Sequence, residues 1–159
     1  MKLRRILPLA LMLLVLVLKL PVALDNFRAQ GTVQESSQRE LVNSPERVSY
    51  PPAGPALTLF WSTRCAPCKL EMERLRNSVE SGRIPADRIF LISLSDSDKK
   101  IAKFLAATPY PFVFLRARPV DRGIPVAATP TLVLWDQGRV ISVSTGPSLL
   151  AIWRGEWMF

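Results

Sequence analysis

The sequence predicts an α/β protein with a central mixed β-sheet flanked by helices on both faces. Three observations carry that expectation. From residue 56 to residue 115, apolar strand-like runs alternate with stretches of helical periodicity, as in βαβ units. The last two strand-like runs are joined by Asp136-Gln137-Gly138-Arg139, a hairpin turn that adds an antiparallel pair. With 159 residues and 48% hydrophobic content, the chain suffices for one such domain and a short appendage.

The appendage comes first. Met1-Lys2-Leu3-Arg4-Arg5 is a basic head, residues 6–18 are an unbroken apolar run, and residues 20–24 resume it after Lys19. Residues 1–24 therefore read as a signal anchor or a signal peptide. Cleavage after Ala23 would put Pro21 where a small residue is wanted, so an uncleaved transmembrane helix is preferred, with Lys19 snorkelling to the headgroups. The basic head then stays in the cytoplasm. The expected location is a bacterial inner membrane with the domain in the periplasm, or release into the periplasm if the leader is cleaved. Residues 25–55 are polar and close on Tyr50-Pro51-Pro52-Ala53-Gly54-Pro55, which reads as a Pro-rich linker with one strand near 47–50.

Residues 56–159 form the domain. A strand at 56–61 leads into a helix at 66–80 with Leu70, Met72, Leu75 and Val79 inward, which Gly82 and Pro85 end. A strand at 88–94 follows, then a helix capped by Ser95 or Ser97, then a short strand at 110–115. Residues 116–128 are an irregular connection. Strands at 131–135 and 140–144 make the hairpin, and 147–157 reads as a closing helix.

Charge excludes one class of partner. Half of the net charge of +8 sits in residues 1–24, where Lys2, Arg4, Arg5 and Lys19 meet no acid. Basic residues of the domain are scattered among acids, which describes a solvated surface and not a nucleic-acid patch. The chain has no histidine, so no Ser-His-Asp or Cys-His pair exists. Two cysteines cannot supply the four ligands of a structural zinc, except across a dimer, and no metal is expected.

The chemistry then rests on Cys65-Ala66-Pro67-Cys68. The pair follows a buried strand and opens a helix, where unpaired N–H groups and the helix dipole favour a thiolate. Cys65 is expected at the exposed tip as nucleophile, its pKa lowered by the helix end and by Arg64. Cys68, one turn in, is expected to be buried and to resolve the mixed disulfide. Pro67 fits the first turn, where its missing N–H costs nothing. A disulfide closing so small a loop removes little chain entropy, so it is a poor structural staple and argues for redox use.

A second constellation is Ala127-Ala128-Thr129-Pro130-Thr131. Proline at the start of an apolar strand suits a cis Thr129–Pro130 bond, or simply the strand's first residue. In the cis case Thr129 would offer its backbone to an extended substrate near Cys65.

Phe60-Trp61-Ser62-Thr63-Arg64-Cys65-Ala66-Pro67-Cys68-Lys69, with Thr129-Pro130-Thr131 and Asp136-Gln137-Gly138, resembles the thioredoxin superfamily. Cys68-Lys69-Leu70-Glu71-Met72 and the long gap before the proline resemble its membrane-anchored TlpA/ResA-type thiol-disulfide oxidoreductases. The resemblance spans about residues 57–146. It implies a thioredoxin fold with Pro130 cis, with Trp61 among the residues supporting the dithiol and Glu71 tuning it; otherwise Glu71 is an exposed helix carboxylate. Arg64 replaces the usual tryptophan before the first cysteine, Leu59 stands where thioredoxins carry a buried aspartate, and Glu73 replaces a proline.

The expected function is therefore an exported protein-disulfide reductase with a redox-active Cys65–Cys68 disulfide and no bound cofactor. The resemblance implies substrate proteins with cysteine pairs, apocytochrome c among them, and recharging by a membrane dithiol donor of the DsbD/CcdA type. Arg64 favours a more oxidising couple, so a disulfide-forming oxidase is the alternative within the same chemistry. A redox-inert thioredoxin-like binding module is the alternative from another class.

Overall fold

A 27-residue helix, α1 (Leu3–Ala29), opens the chain. A short hairpin follows, β1 (Ser37–Glu40) and β2 (Arg47–Tyr50). Then come β3 (Ala56–Trp61), α2 (Ala66–Glu80), β4 (Ile89–Ser93), α3 (Asp98–Ala107), β5 (Val113–Leu115), β6 (Thr131–Asp136), β7 (Arg139–Thr145) and α4 (Leu149–Glu156). The structure, a computed structural model, describes residues 3–42, 44–117, 124 and 126–159, with residues 3–10, 149 and 150 described by backbone alone. Most of the connection expected to be irregular, 118–123 and 125, lies outside the described residues.

The main sheet has the order β5-β4-β3-β6-β7. Strands β3, β4 and β5 are parallel, whereas β6 runs antiparallel to both β3 and β7, so the sheet is mixed as expected. All six residues of β3 are buried, which is why the strand reads as a continuous apolar run and not as an alternation. The β6–β7 turn has Gln137 at φ 48° and Gly138 at φ 72°, a type I′ pattern matched to strand twist. A Cβ at Gly138 would also lie 2.9 Å from the Gln34 carbonyl oxygen, so two constraints require glycine there.

Helices flank this sheet unevenly. Residues of α2, α3 and α4, including Met72, Leu75, Ile101 and Ile152, share one core with Leu57, Leu59, Leu91 and Leu134. The β3–α2–β4 and β4–α3–β5 crossovers step the same way across the sheet, and right-handed connections then put both helices on one face. The opposite core holds Phe60, Phe90, Val133 and Trp135 and is closed by Tyr50, Ile124 and, from the end of α1, Ala29. Among the described residues, Ala29 is the helical residue packed in that core, and with half-buried Val22 and Asn26 it makes the last turns of α1 the helical cover expected on the second face.

The segment read as a linker is folded. It carries the strand expected near 47–50, a partner strand, and contacts at both edges of the sheet. Gly31 N–H donates to the Val140 carbonyl (2.7 Å) and Val140 N–H to that of Thr32 (2.9 Å), along β7. Val42 N–H donates to the Phe114 carbonyl (2.9 Å), along β5. Exposed sheet edges invite foreign strands, and here this segment covers them. Tyr50 is buried, and its hydroxyl lies 2.9 Å from Thr58 Oγ1, which also accepts from Trp135 Nε1 (2.9 Å). That triad ties the hairpin to the central strand through the one polar side chain β3 buries.

Residues 11–18 of α1 are exposed, and the helix continues beyond the expected residue 24 to Ala29. Among the described residues no helix is long and apolar enough to cross a membrane.

Candidate active site

Strand β3 ends at Trp61, and the turn Ser62-Thr63-Arg64 delivers Cys65 to the N-cap of α2. Cys65 has extended backbone (φ −83°, ψ 102°), and Pro67 lies in the first turn. The two cysteines form a disulfide with S–S 2.03 Å and Cα–Cα 5.2 Å. Cys68 N–H donates to Cys65 Sγ at 3.1 Å, so the helix's own unpaired amide points at the first sulfur. The cysteines differ in exposure: Cys68 is fully buried in the α2 core, while Cys65 is partly exposed. Arg64 is exposed beside it.

The turn is held by a residue that the sequence reading did not single out. Asp96, just past β4, accepts from the Thr63 N–H (2.7 Å), the Thr63 hydroxyl (3.0 Å), the Ser93 hydroxyl (3.0 Å) and Lys100 Nζ (2.5 Å). Its side chain is 1% exposed. Burial alone would raise its pKa; hydrogen bonds from Lys100, Thr63 and Ser93 outweigh that and lower it to about 2. The sequence signal was faint: one aspartate between Ser95 and Ser97, either of which read as a helix cap. Ser97 is the N-cap of α3, without a side-chain capping bond.

On α2 the inward stripe is Cys68, Glu71, Met72, Leu75 and Ser78. Leu70, expected inward, is 50% exposed, because the i, i+3, i+4, i+7 series counted from Cys68 selects Glu71 and Met72 instead. Glu71 is 1% exposed, not a surface carboxylate. Its Oε1 accepts from Arg74 Nη1 (2.7 Å) and from the Ser148 N–H at the N-cap of α4 (3.1 Å). Its Oε2 is buried with no hydrogen-bond partner among the described residues.

Trp61 is buried against Phe104 and Phe114, with ring centroids 5.1 and 5.8 Å away. Stacking continues from Phe104 to Tyr110 and from Tyr110 to Phe112. The Tyr110 hydroxyl donates to Glu73 Oε1 at 2.7 Å, so Glu73 ties α2 to this aromatic row.

The second constellation arrives at the same end of the sheet. Phe60 pairs with Thr131, which sets Pro130 beside the C-terminal end of β3. The Thr129–Pro130 bond is cis. Pro130 is buried, its carbonyl accepts from the Gly146 N–H (2.7 Å), and Thr129 is exposed. Topology thus collects Cys65, Cys68, Trp61, Thr129 and Pro130 at one pole, with Glu71 a turn below on α2.

This is the thioredoxin fold. The structure is similar to StoA from Bacillus subtilis (TM-score 0.66, 19% identity, covering 80% of this chain and 98% of that one). It is also similar to a thioredoxin-family thiol:disulfide interchange protein from Chlorobium tepidum (0.66, 18%, 82% and 97%). A third likeness is to a secreted disulfide oxidoreductase of Mycobacterium tuberculosis homologous to E. coli DsbE (0.62, 14%, 77% and 96%). No protein-family model matches the sequence, and no curated protein sequence matches it. The neighbours agree with the resemblance read from the sequence: they are thioredoxin-fold thiol-disulfide oxidoreductases.

Proposed function

We propose that this chain is a membrane-tethered, extracytoplasmic thiol-disulfide oxidoreductase that reduces disulfides in proteins with paired cysteines. The observation that carries the reading is the asymmetry of the pair, a partly exposed Cys65 whose Sγ receives an amide N–H and a fully buried Cys68. In the reduced chain, the Cys65 thiolate attacks one sulfur of a target disulfide. A mixed disulfide forms and one target thiolate leaves. Cys68, losing its proton, then attacks Cys65 Sγ and expels the second target thiolate. Two electrons have passed to the target, and the Cys65–Cys68 disulfide remains. A membrane dithiol donor of the DsbD/CcdA type would restore the thiols, and no bound cofactor enters the cycle.

Supporting groups have distinct parts. Exposed Thr129 beside Pro130 offers backbone to an extended target segment. Glu71, buried one turn from Cys68, is a negative charge that tunes the dithiol, and Arg64 is a positive one beside Cys65. Trp61 and Pro67 hold the strand end and the first turn. The apolar run of residues 6–18 behind a basic head supports anchoring by α1, with the domain in the periplasm. Preparing apocytochrome c cysteines is the substrate assignment to examine first.

A Cys68→Ala chain should accumulate mixed disulfides with partner proteins, whereas Cys65→Ala should accumulate none. A reduction potential below that of the glutathione pool supports the reductase. One well above it reverses the direction to oxidase, which the Arg64 charge favours. Absence of any trapped species, with a partner still bound non-covalently, would leave a redox-inert binding module.

A further inference from the structure

We infer that α1 is a docked strut that turns the dithiol pole toward the bilayer. The inference rests on the anchoring reading above and goes beyond it by fixing which end of the domain faces the lipid. Val22, Asn26 and Ala29, spaced i, i+4, i+7, are the half-buried residues of the last turns of α1. Asn26 Nδ2 donates to Thr145 Oγ1 (3.3 Å), at the C-terminal end of β7. Ala29 packs in the core with Trp135 and Val140, and Gly31 bonds to Val140, near the strand's other end.

The helix therefore runs antiparallel to β7. Traced backward from Ala29 through Asn26 to Val22, it climbs toward the end of the sheet where β7 finishes. That end is the dithiol pole. Thr145 Oγ1 accepts from Thr131 Oγ1 (3.2 Å), and the next residue, Gly146, donates to the Pro130 carbonyl. Residues 3–20 then project past this pole for about 25 Å of helix, and residues 11–20 are exposed. A flexible linker would let the domain tumble; two hydrogen-bonded contacts and a packed face on β7 do not. Thiol partners that meet Cys65 in this pose are proteins embedded in the membrane or lying on it.

The pose also assigns the exposed aromatics of α4. Helix α4 runs alongside α2, with Ser148 bonded to Glu71 near the dithiol and Glu156 bonded to Ser78 near the far end of α2. Trp153 and Trp157, 54% and 76% exposed, therefore approach the pole that faces away from the bilayer.

The full-length chain, with Cys65 and Cys68 kept as a disulfide, tests this in vesicles of phosphatidylcholine and phosphatidylglycerol carrying an acceptor dye on the headgroups. One donor dye is placed through Pro147→Cys, exposed at the dithiol pole, and another through Gln137→Cys, exposed at the opposite turn. Strand β6 separates the two by about 20 Å. Energy transfer several-fold stronger from position 147 than from 137 is expected. A ten-residue Gly-Ser insertion between Leu24 and Asp25 should abolish the difference. Equal transfer from both positions in the uninserted, vesicle-bound chain, or stronger transfer from 137, overturns the orientation while leaving anchoring intact. A chain that does not sediment with the vesicles overturns the anchoring reading and the orientation together.

Discussion

Thr63 gives both its backbone N–H and its hydroxyl to the carboxylate of Asp96, at 2.7 and 3.0 Å. Cys65 N–H in turn donates to the Ser62 carbonyl (3.0 Å). The end of β4 thus fixes the turn that sets the first sulfur at the helix N-terminus, and the cap bond from Cys68 N–H depends on that placement.

Asp96→Asn should cost about 2 kcal/mol at neutral pH. The sign follows from the shift: the folded pKa of about 2 is below the ordinary 3.8, so the contribution is complete above about pH 4 and is lost as pH falls toward 2. Urea unfolding between pH 7 and pH 2 should show this acid limb in the parent chain and a much flatter one in Asp96→Asn. The variant should also raise the Cys65 thiol pKa, because the cap loosens. Lys100→Met, which spares both Thr63 bonds, should raise it less. A lowered Cys65 pKa in Asp96→Asn, opposite in sign to the effect of Lys100→Met, would mean that charge, not turn geometry, matters.

Glu71→Gln separates packing from electrostatics. The amide oxygen still accepts the Ser148 N–H, so stability should fall by only about 1 kcal/mol. Loss of a negative charge one turn from Cys68 should lower the thiol pKa of that cysteine, read by ultraviolet thiolate absorbance in the reduced chain. Glu71→Leu should cost about 2 kcal/mol, since the α4 N-terminus loses a buried acceptor. An unchanged thiol titration in Glu71→Gln would reduce Glu71 to a structural link between α2 and α4.

Tyr110 is raised to about 12, by burial first and then by its hydrogen bond to Glu73 and that carboxylate's charge, against a lowering by Arg76. Alkaline absorbance titration should show a late-ionising tyrosine that Tyr110→Phe removes and Glu73→Gln shifts down. A titration near the ordinary 10 assigned to Tyr110 by its loss in Tyr110→Phe would contradict the Tyr110–Glu73 contact.

Much of this was legible in the sequence for physical reasons. Strand β3 is buried throughout, so its apolar run stood out, and α2 has Pro67 in its first turn and Gly82 and Pro85 just past its end. The dithiol and Thr129-Pro130 were visible because each is a short pattern that ordinary packing does not explain. In the segment before β3 the strand near 47–50 was expected, but its partner β1 and the contacts at the sheet edges were hidden. The segment's strands pair with each other and cap sheet edges through backbone bonds, which leave little hydrophobic periodicity to read. Asp96 was hidden for a similar reason, because the contact that holds the turn is to the backbone amide and hydroxyl of Thr63, distant in sequence. Glu71 was only half visible: its matching position was clear, but its burial follows from counting the helix stripe from Cys68 instead of from Leu70.

The proposed reaction requires Cys65 to be a low-pKa, reachable thiolate over a buried partner. The most direct measurement is the pH dependence of alkylation of the reduced native chain, with the modified cysteine located by peptide mapping. Cys65 should be modified preferentially, with an apparent pKa well below the ordinary thiol value of about 8.5, and Cys68 should stay protected until unfolding. Modification of both cysteines at equal rates, or a Cys65 titration at or above the ordinary value, would contradict it.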